Sequence, residues 1–251
     1  MCRHLAYLGP EIPFGQVVLE PPQGLYRQSW APRRQLHGTV NADGFGVGWY
    51  APDDPIPARY RRAGPIWADD LLPDLGRVVR TGALLAAVRD ASEAGADAEA
   101  AAAPFASGRY LFSHNGAVLG WPDALAPLAA ALPAVALLQL AARCDAAFLF
   151  ALVCHRLAAG ATPGEALAGT VADVARAAPG SRLNLLLTDG TTIAATTWGD
   201  TLFHHTHPGG GTVVASEPYD DDPRWTPVPD RTLVCATRTD VHLTPLKESA
   251  A

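Results

Sequence analysis

The 251-residue chain has no excess of positive charge, no paired cysteines and no long uninterrupted apolar run. Its formal net charge is −6, so nothing electrostatic favours a phosphate backbone, and nucleic acid is not expected as a partner. Cys2, Cys144, Cys154 and Cys235 are scattered with no CxxC pair, which argues against a disulfide framework or a structural zinc site. The opening MCRHLAYLGPEIPFG lacks the apolar core and small-residue cleavage site of an export signal, so a reducing cytoplasm is the expected location. The most apolar stretch, 134–157, is interrupted by Arg143, Asp145, His155 and Arg156. Its longest clean run, 146–154, is far short of the ~20 residues that span a bilayer. A buried helix is expected there, with no membrane partner, and the sequence carries no signature of oligomeric state.

What is present reads as strands, then helices, then strands. CRHLAYL is a short strand, followed by the Pro-rich loop PPQGLYRQSWAPR. NADGFGVGWY makes a turn into a Gly-studded strand that ARYRRAG can pair with. Apolar residues between Trp67 and Arg80 recur at helical spacing, and ALLAAVRD is a buried strand ending at Arg89. The biased stretch ASEAGADAEAAAA is expected as a mobile loop or frayed helix. RYLFSHNG and AVLGW resume the sheet as two strands. Helices are expected over Asp123–Leu132, Val135–Ala158 and Glu165–Ala177, the last opened by the capping box Thr162-Pro163-Gly164-Glu165. RLNLLLTDGTTIAATTWG is a hairpin pattern around Asp-Gly, and TLFHHTH, GTVVAS and RTLVCAT are further strands. This order implies an α+β fold of two sheets with helices packed outside rather than a βαβ repeat. There is no internal repeat and no linker, so residues 1–251 are expected to form one domain.

The chemistry begins at Cys2. Removal of the initiator Met, favoured by a small second residue, places a thiol and a free α-amine on one residue. The amine, with an ordinary pKa of ~7.7–8.0, can accept the proton of a thiol at ~8.5 and later return it to a leaving amine. On position alone, a small buried Cys at a strand start is the commoner situation. Asn115-Gly116, in Ser113-His114-Asn115-Gly116, is first of all a strong hairpin signal. The same pair also supplies a side-chain amide and a backbone N–H that can converge on an oxyanion. Arg89 at its strand end suits a bidentate clamp on an α-carboxylate, against the plainer reading of a solvated terminus. Asp145 opens an apolar helix, where a carboxylate commonly serves the helix N-terminus. Taken with Arg89, it would complete recognition of an amino-acid head group.

Other features are bland. NADGFGVGWY has no Lys for a phosphate loop, and its glycines suit a sharp turn and close backbone approach. His204, His205 and His207 lack a Cys or carboxylate at ligand spacing and are expected on a surface strand. The Asp220–Asp222 run reads as a solvated loop.

With these residues assembled, the chain resembles the class II glutamine amidotransferases, and within them the free-standing γ-glutamyl amidases of ergothioneine biosynthesis. The likeness is carried by MCRHLAYLGP, QSWAPR, GTVNADGFGVGWY, PIWADD, APF, LFSHNGAV, RLNLLLTDG and VVASEPYDDDPRW. It implies a four-layer αββα sandwich of the N-terminal-nucleophile hydrolase type. It implies Cys2 as nucleophile, Asn115 and Gly116 at the oxyanion, Arg89 on the substrate carboxylate and Asp145 on its ammonium. Cys144-Asp145-Ala146 stands where that family carries Thr-Asp-Ser, and Asp-Ala-Ser follows Arg89 in place of Ser-Ala-Thr. The implied reaction is hydrolysis of the small molecule γ-glutamyl-hercynylcysteine S-oxide to glutamate and hercynylcysteine S-oxide, with no metal or other cofactor. For the trimethylated, cationic leaving half of that substrate, the tryptophans and the Tyr219 loop are candidate contacts. Three rivals make different predictions: a glutaminase feeding ammonia to a separate synthase, a non-catalytic binding protein on the same fold, and a metal site on the histidine strand.

Overall fold

The computed structural model describes residues 2–91, 99–207 and 209–247. In chain order it contains β1 (Arg3–Pro13), α1 (Gly15–Val18), α2 (Leu25–Gln28), β2 (Phe45–Trp49), β3 (Ala58–Arg62), α3 (Leu72–Val78) and β4 (Arg80–Val88). There follow β5 (Phe105–Ser107), β6 (Tyr110–Ala117), α4 (Ala126–Ala130), α5 (Ala134–Leu138), α6 (Asp145–Ala158) and α7 (Pro163–Ala177). The last part is all strand: β7 (Arg182–Thr188), β8 (Ile193–Thr197), β9 (Phe203–Thr206), β10 (Thr212–Ala215), β11 (Thr226–Pro227), β12 (Thr232–Ala236) and β13 (Val241–Pro245).

The strands form a seven-stranded sheet in the order β11-β9-β10-β1-β4-β2-β3 and a six-stranded sheet in the order β13-β12-β8-β7-β6-β5. The period-2 alternation of a strand decides which layer each side chain enters. In β1, Leu5 and Tyr7 pack with Phe14, Val17 and Leu72 on the outer helical layer. Ala6 and Leu8 point the other way, meeting Leu111, Leu186 and Ala195 of the second sheet. The far face of that sheet, through Phe112, Leu185 and Leu187, packs on Phe148, Leu152 and Val171 of α6 and α7. Four layers result: helices, sheet, sheet, helices.

The glycines of β2 let the sheets approach. A Cβ on Gly46 would lie 2.4 Å from the Ala103 carbonyl oxygen, and one on Gly48 2.8 Å from Leu111 Cδ1. The close approach read from NADGFGVGWY is therefore real, and the β2–β3 pairing is present as expected. Thr162 and Glu165 form the full capping box of α7, and β7–β8 form the expected hairpin.

Several sequence-derived boundaries are corrected. The Pro-rich loop holds the short helix α2. The helix expected over 67–80 is a 3-10 turn at Ile66–Ala68 followed by α3. Asp69 Oδ1 accepts the N–H groups of Leu71 and Leu72, and Pro73 sits in the first turn, so the helix starts there. The helix expected over 135–158 is two helices, α5 and α6, parted at 139–144. AVLGW is not a strand: β6 runs unbroken through Asn115-Gly116 to Ala117 and then turns, with Gly120 at φ 70°. Asn115-Gly116 is thus mid-strand, not a hairpin turn. The expectation for ASEAGADAEAAAA falls largely on residues 92–98, outside the described residues.

Candidate active site

The same alternation brings the candidate residues together. Cys2 precedes β1 with the parity of Ala6 and Leu8, and Asn115 has the parity of Leu111 in β6, so both point into the gap between the sheets. There the Cys2 N–H donates to Asn115 Oδ1 at 3.2 Å. Asn115 is fully buried, and its Nδ2 has no hydrogen-bond partner among the described residues. A buried donor left unpaired costs about 1–3 kcal/mol, which makes this Nδ2 a candidate donor to a ligand. Gly116 is fixed by close approach: a Cβ there would lie 2.0 Å from the Arg182 carbonyl oxygen.

Arg89 follows β4, whose end lies beside the starts of β1 and β2, with Val88 opposite both Arg3 and Phe45. Its backbone is held by the Asp43–Gly44 turn: Arg89 N–H donates to Gly44 O at 2.7 Å and Asp43 N–H to Arg89 O at 2.9 Å. No carboxylate lies within ion-pair range of the Arg89 guanidinium among the described residues; its Nη1 reaches only the Asp43 carbonyl at 3.4 Å.

Asp145 is the first residue of α6. Its Oδ1 accepts the Ala146 N–H at 2.7 Å and its Oδ2 the Val118 N–H at 3.1 Å, so the carboxylate bolts the helix start to the chain leaving β6. The helix-partner role expected of such a residue is present, and it holds the carboxylate in place at the cavity wall.

Cys2, Arg89, Gly116 and Asp145 all line one cavity of about 590 Å³, with Asn115 directly behind Cys2. Burial pushes the Cys2 thiol above its ordinary range; the Asp90 backbone N–H and the Arg89 charge pull the other way, and Asp145 adds to the rise. A thiol held protonated in this way needs a base beside it to react.

Other lining residues had no catalytic or head-group role assigned from the sequence. His114, next to Asn115, has its Nδ1 3.8 Å from Asp145 Oδ2 and donates from Nε2 to Arg182 O at 3.0 Å. Trp121, Arg143 and Cys144 complete that side of the wall. For His114 the available signal was adjacency to Asn115, and for Arg143 its place two residues before Asp145. Of the aromatic candidates for a cationic group, Trp121 is in this lining. Tyr219 is buried elsewhere, against Trp225 and His207.

The histidine strand differs from expectation. His205 is 1% exposed, under Trp225 and 3.4 Å from Asp222, so β9 is covered by the 220–225 loop. Asp222 of that loop is also paired with Arg224 rather than simply solvated. Among the described residues no group of three or more His, Cys, Asp or Glu is arranged to hold a metal ion. None of their helices is long and apolar enough to cross a membrane.

The architecture is a four-layer αββα sandwich of the N-terminal-nucleophile hydrolase type. A glutamine aminotransferase class-II domain protein from Silicibacter pomeroyi superposes with a TM-score of 0.71 at 25% identity, covering 98% of this chain and 100% of its own. The glutamine phosphoribosylpyrophosphate amidotransferase of B. subtilis shares the fold, with a TM-score of 0.67 at 14% identity over 99% of this chain and 50% of its own. No protein-family model matches the chain. Gamma-glutamyl-hercynylcysteine sulfoxide hydrolase of Mycobacterium tuberculosis (strain CDC 1551 / Oshkosh) is 43% identical over 247 residues, 98% of this chain and 97% of the relative. Its namesake in Mycolicibacterium smegmatis is 42% identical over 246 residues, 98% and 100% of the two chains. This chain belongs to the gamma-glutamyl-hercynylcysteine sulfoxide hydrolase family.

Proposed function

We propose that the chain, acting as one domain over 1–251, hydrolyses the γ-glutamyl amide of γ-glutamyl-hercynylcysteine sulfoxide. The observation that carries the reading is the Cys2 N–H to Asn115 Oδ1 bond, which sets the thiol-bearing residue beside an amide whose Nδ2 is buried and unpaired. With Met1 removed, that nitrogen is an α-amine. The amine takes the thiol proton, and the sulfur attacks the γ-carbonyl carbon. Asn115 Nδ2 and the Gly116 N–H receive the oxyanion. Arg89 pairs with the α-carboxylate of the glutamyl group and Asp145 with its α-ammonium.

Collapse of the tetrahedral species breaks the C–N bond. The α-ammonium of Cys2 supplies the proton to the departing amine. Water, deprotonated by the same amine, then attacks the γ-glutamyl thioester and releases glutamate and the regenerated thiol. No step in this sequence needs a redox change. The free state of Cys2, Cys144, Cys154 and Cys235 suits a reducing cytoplasm.

Intact mass spectrometry before and after treatment with an electrophilic glutamine analogue tests the mechanism. The expected species lacks Met1 and gains one adduct at Cys2. A protein that retains Met1 yet turns over, or that is labelled elsewhere, would overturn it. Faster turnover of free glutamine than of the γ-glutamyl-hercynylcysteine sulfoxide would instead favour an ammonia-supplying glutaminase.

A further inference from the structure

Recognition of the glutamyl head group uses Arg89 and Asp145, which leaves part of the lining without a task. Two side chains there have unspent chemistry. Trp121 follows the Val118 segment that Asp145 anchors, is half-buried, and rests on Phe148 with ring centroids 5.6 Å apart and planes at 46°. Arg143, just ahead of Asp145, is exposed and makes no hydrogen bond or ion pair among the described residues. By contrast Arg156 and Arg182, on neighbouring elements, are each paired with an aspartate. Beyond the head-group residues, the cavity therefore presents the half-buried indole of Trp121 and the uncommitted guanidinium of Arg143, the other aromatic rings of its lining, Phe45 and Phe105, being buried.

We propose that Trp121 and Arg143 form the subsite for the leaving half of the substrate, with the indole taking its quaternary ammonium and the guanidinium the carboxylate beside the scissile amide. This rests on the hydrolase reading above. A trimethylated nitrogen carries a permanent charge and no N–H, so it gains nothing from hydrogen-bond acceptors, and an aromatic face is its natural partner. The carboxylate next to the scissile nitrogen belongs to the cysteine of the leaving group. Arg143 lines the same cavity as Cys2, so its guanidinium is available to that carboxylate. Free glutamine has neither group, which makes these two residues the source of discrimination against it.

The test compares three γ-glutamyl amides. The first is γ-glutamyl-hercynylcysteine sulfoxide. The second, γ-glutamyl-S-methylcysteine sulfoxide, keeps the carboxylate and loses the quaternary ammonium. The third, γ-glutamylmethylamide, loses both. Trp121→Leu is expected to reduce the kcat/KM preference for the first over the second about three- to thirtyfold, with Trp121→Phe retaining most of it. Arg143→Gln is expected to reduce the preference for the second over the third roughly tenfold or more, with Arg143→Lys restoring part. Equal losses on all three amides, or unchanged preferences, overturn the subsite. A wild-type protein that cleaves none of them overturns the hydrolase reading instead.

Discussion

Because Oδ1 of Asn115 accepts the Cys2 N–H, the orientation of its amide is set and Nδ2 remains as the free donor. Asn115→Ala should lower kcat by about 10²–10³ with a smaller change in KM, since an oxyanion donor acts in the transition state rather than on bound substrate. A KM effect alone, with kcat intact, would remove Asn115 from the oxyanion role. Gly116→Ala should fail differently: the new Cβ would have to displace the Arg182 backbone, so urea unfolding should show a loss of stability in addition to lost turnover. The sequence offered both residues as a candidate oxyanion pair, but it did not offer their local structure. Asn-Gly between apolar runs carries the same signal whether the chain turns or continues. Here pairing of Asn115 with Asn184 and of Gly116 with Leu183 keeps it extended, and that partner lies far along the chain.

At the scale of elements, the helix starts show what local chemistry can and cannot announce. The capping box of α7 is wholly local, with Thr162 Oγ1 accepting the Glu165 N–H and Glu165 accepting the Thr162 N–H, and it was read correctly. Thr162→Ala should cost about 1 kcal/mol, lowering Tm by roughly 2–4 °C. It should leave kcat/KM alone, because α7 packs behind the second sheet and away from the cavity. A change in turnover would mean that α7 couples to the site. For α6 the reading was partial: Asp145 was seen to open an apolar helix, but the break before it was not seen. Residues 139–144 contain no Gly or Pro, so the apolar pattern runs through the break. What fixes the start of α6 is partly tertiary, with Asp145 Oδ2 holding the Val118 N–H. Asp145→Ala should therefore do two things at once, raising KM for every γ-glutamyl amide and loosening the 118–121 wall. Asp145→Asn keeps an acceptor for the Val118 N–H but turns its NH2 toward the Ala146 N–H, so it should cost less thermal stability than Asp145→Ala while still raising KM.

For the whole molecule, composition and element order indicated two sheets flanked by helices, but not that β1 runs through the centre of the first sheet. Its neighbours are β4 and β10, the latter more than two hundred residues away in sequence, and no periodicity encodes a pairing of that range. The central position of β1 carries a cost in pH sensitivity. His4 points into the gap between the sheets, 1% exposed, with Nδ1 3.1 Å from Ser113 Oγ. Burial, then the charges of Arg3 and His114, hold its pKa down to about 3, against ~6.5 in an unfolded chain. Between these two values the unfolded chain binds a proton that the folded chain refuses. The stabilising effect of a neutral His4 is thus complete above pH ~6.5, diminishes as the pH falls, and is lost by about pH 3. At pH 4.5 the loss attributable to this one residue should be roughly 2–3 kcal/mol. His4→Gln, which can still bond Ser113 and does not titrate, separates that loss from the carboxylates titrating in the same range. Urea unfolding of both proteins at pH 7.5 and 4.5 should show the wild type losing roughly 2–3 kcal/mol more than the variant. Parallel pH profiles would mean that the two sheets part far enough at low pH for His4 to be hydrated in the folded state, and that the gap leading to Cys2 opens with them.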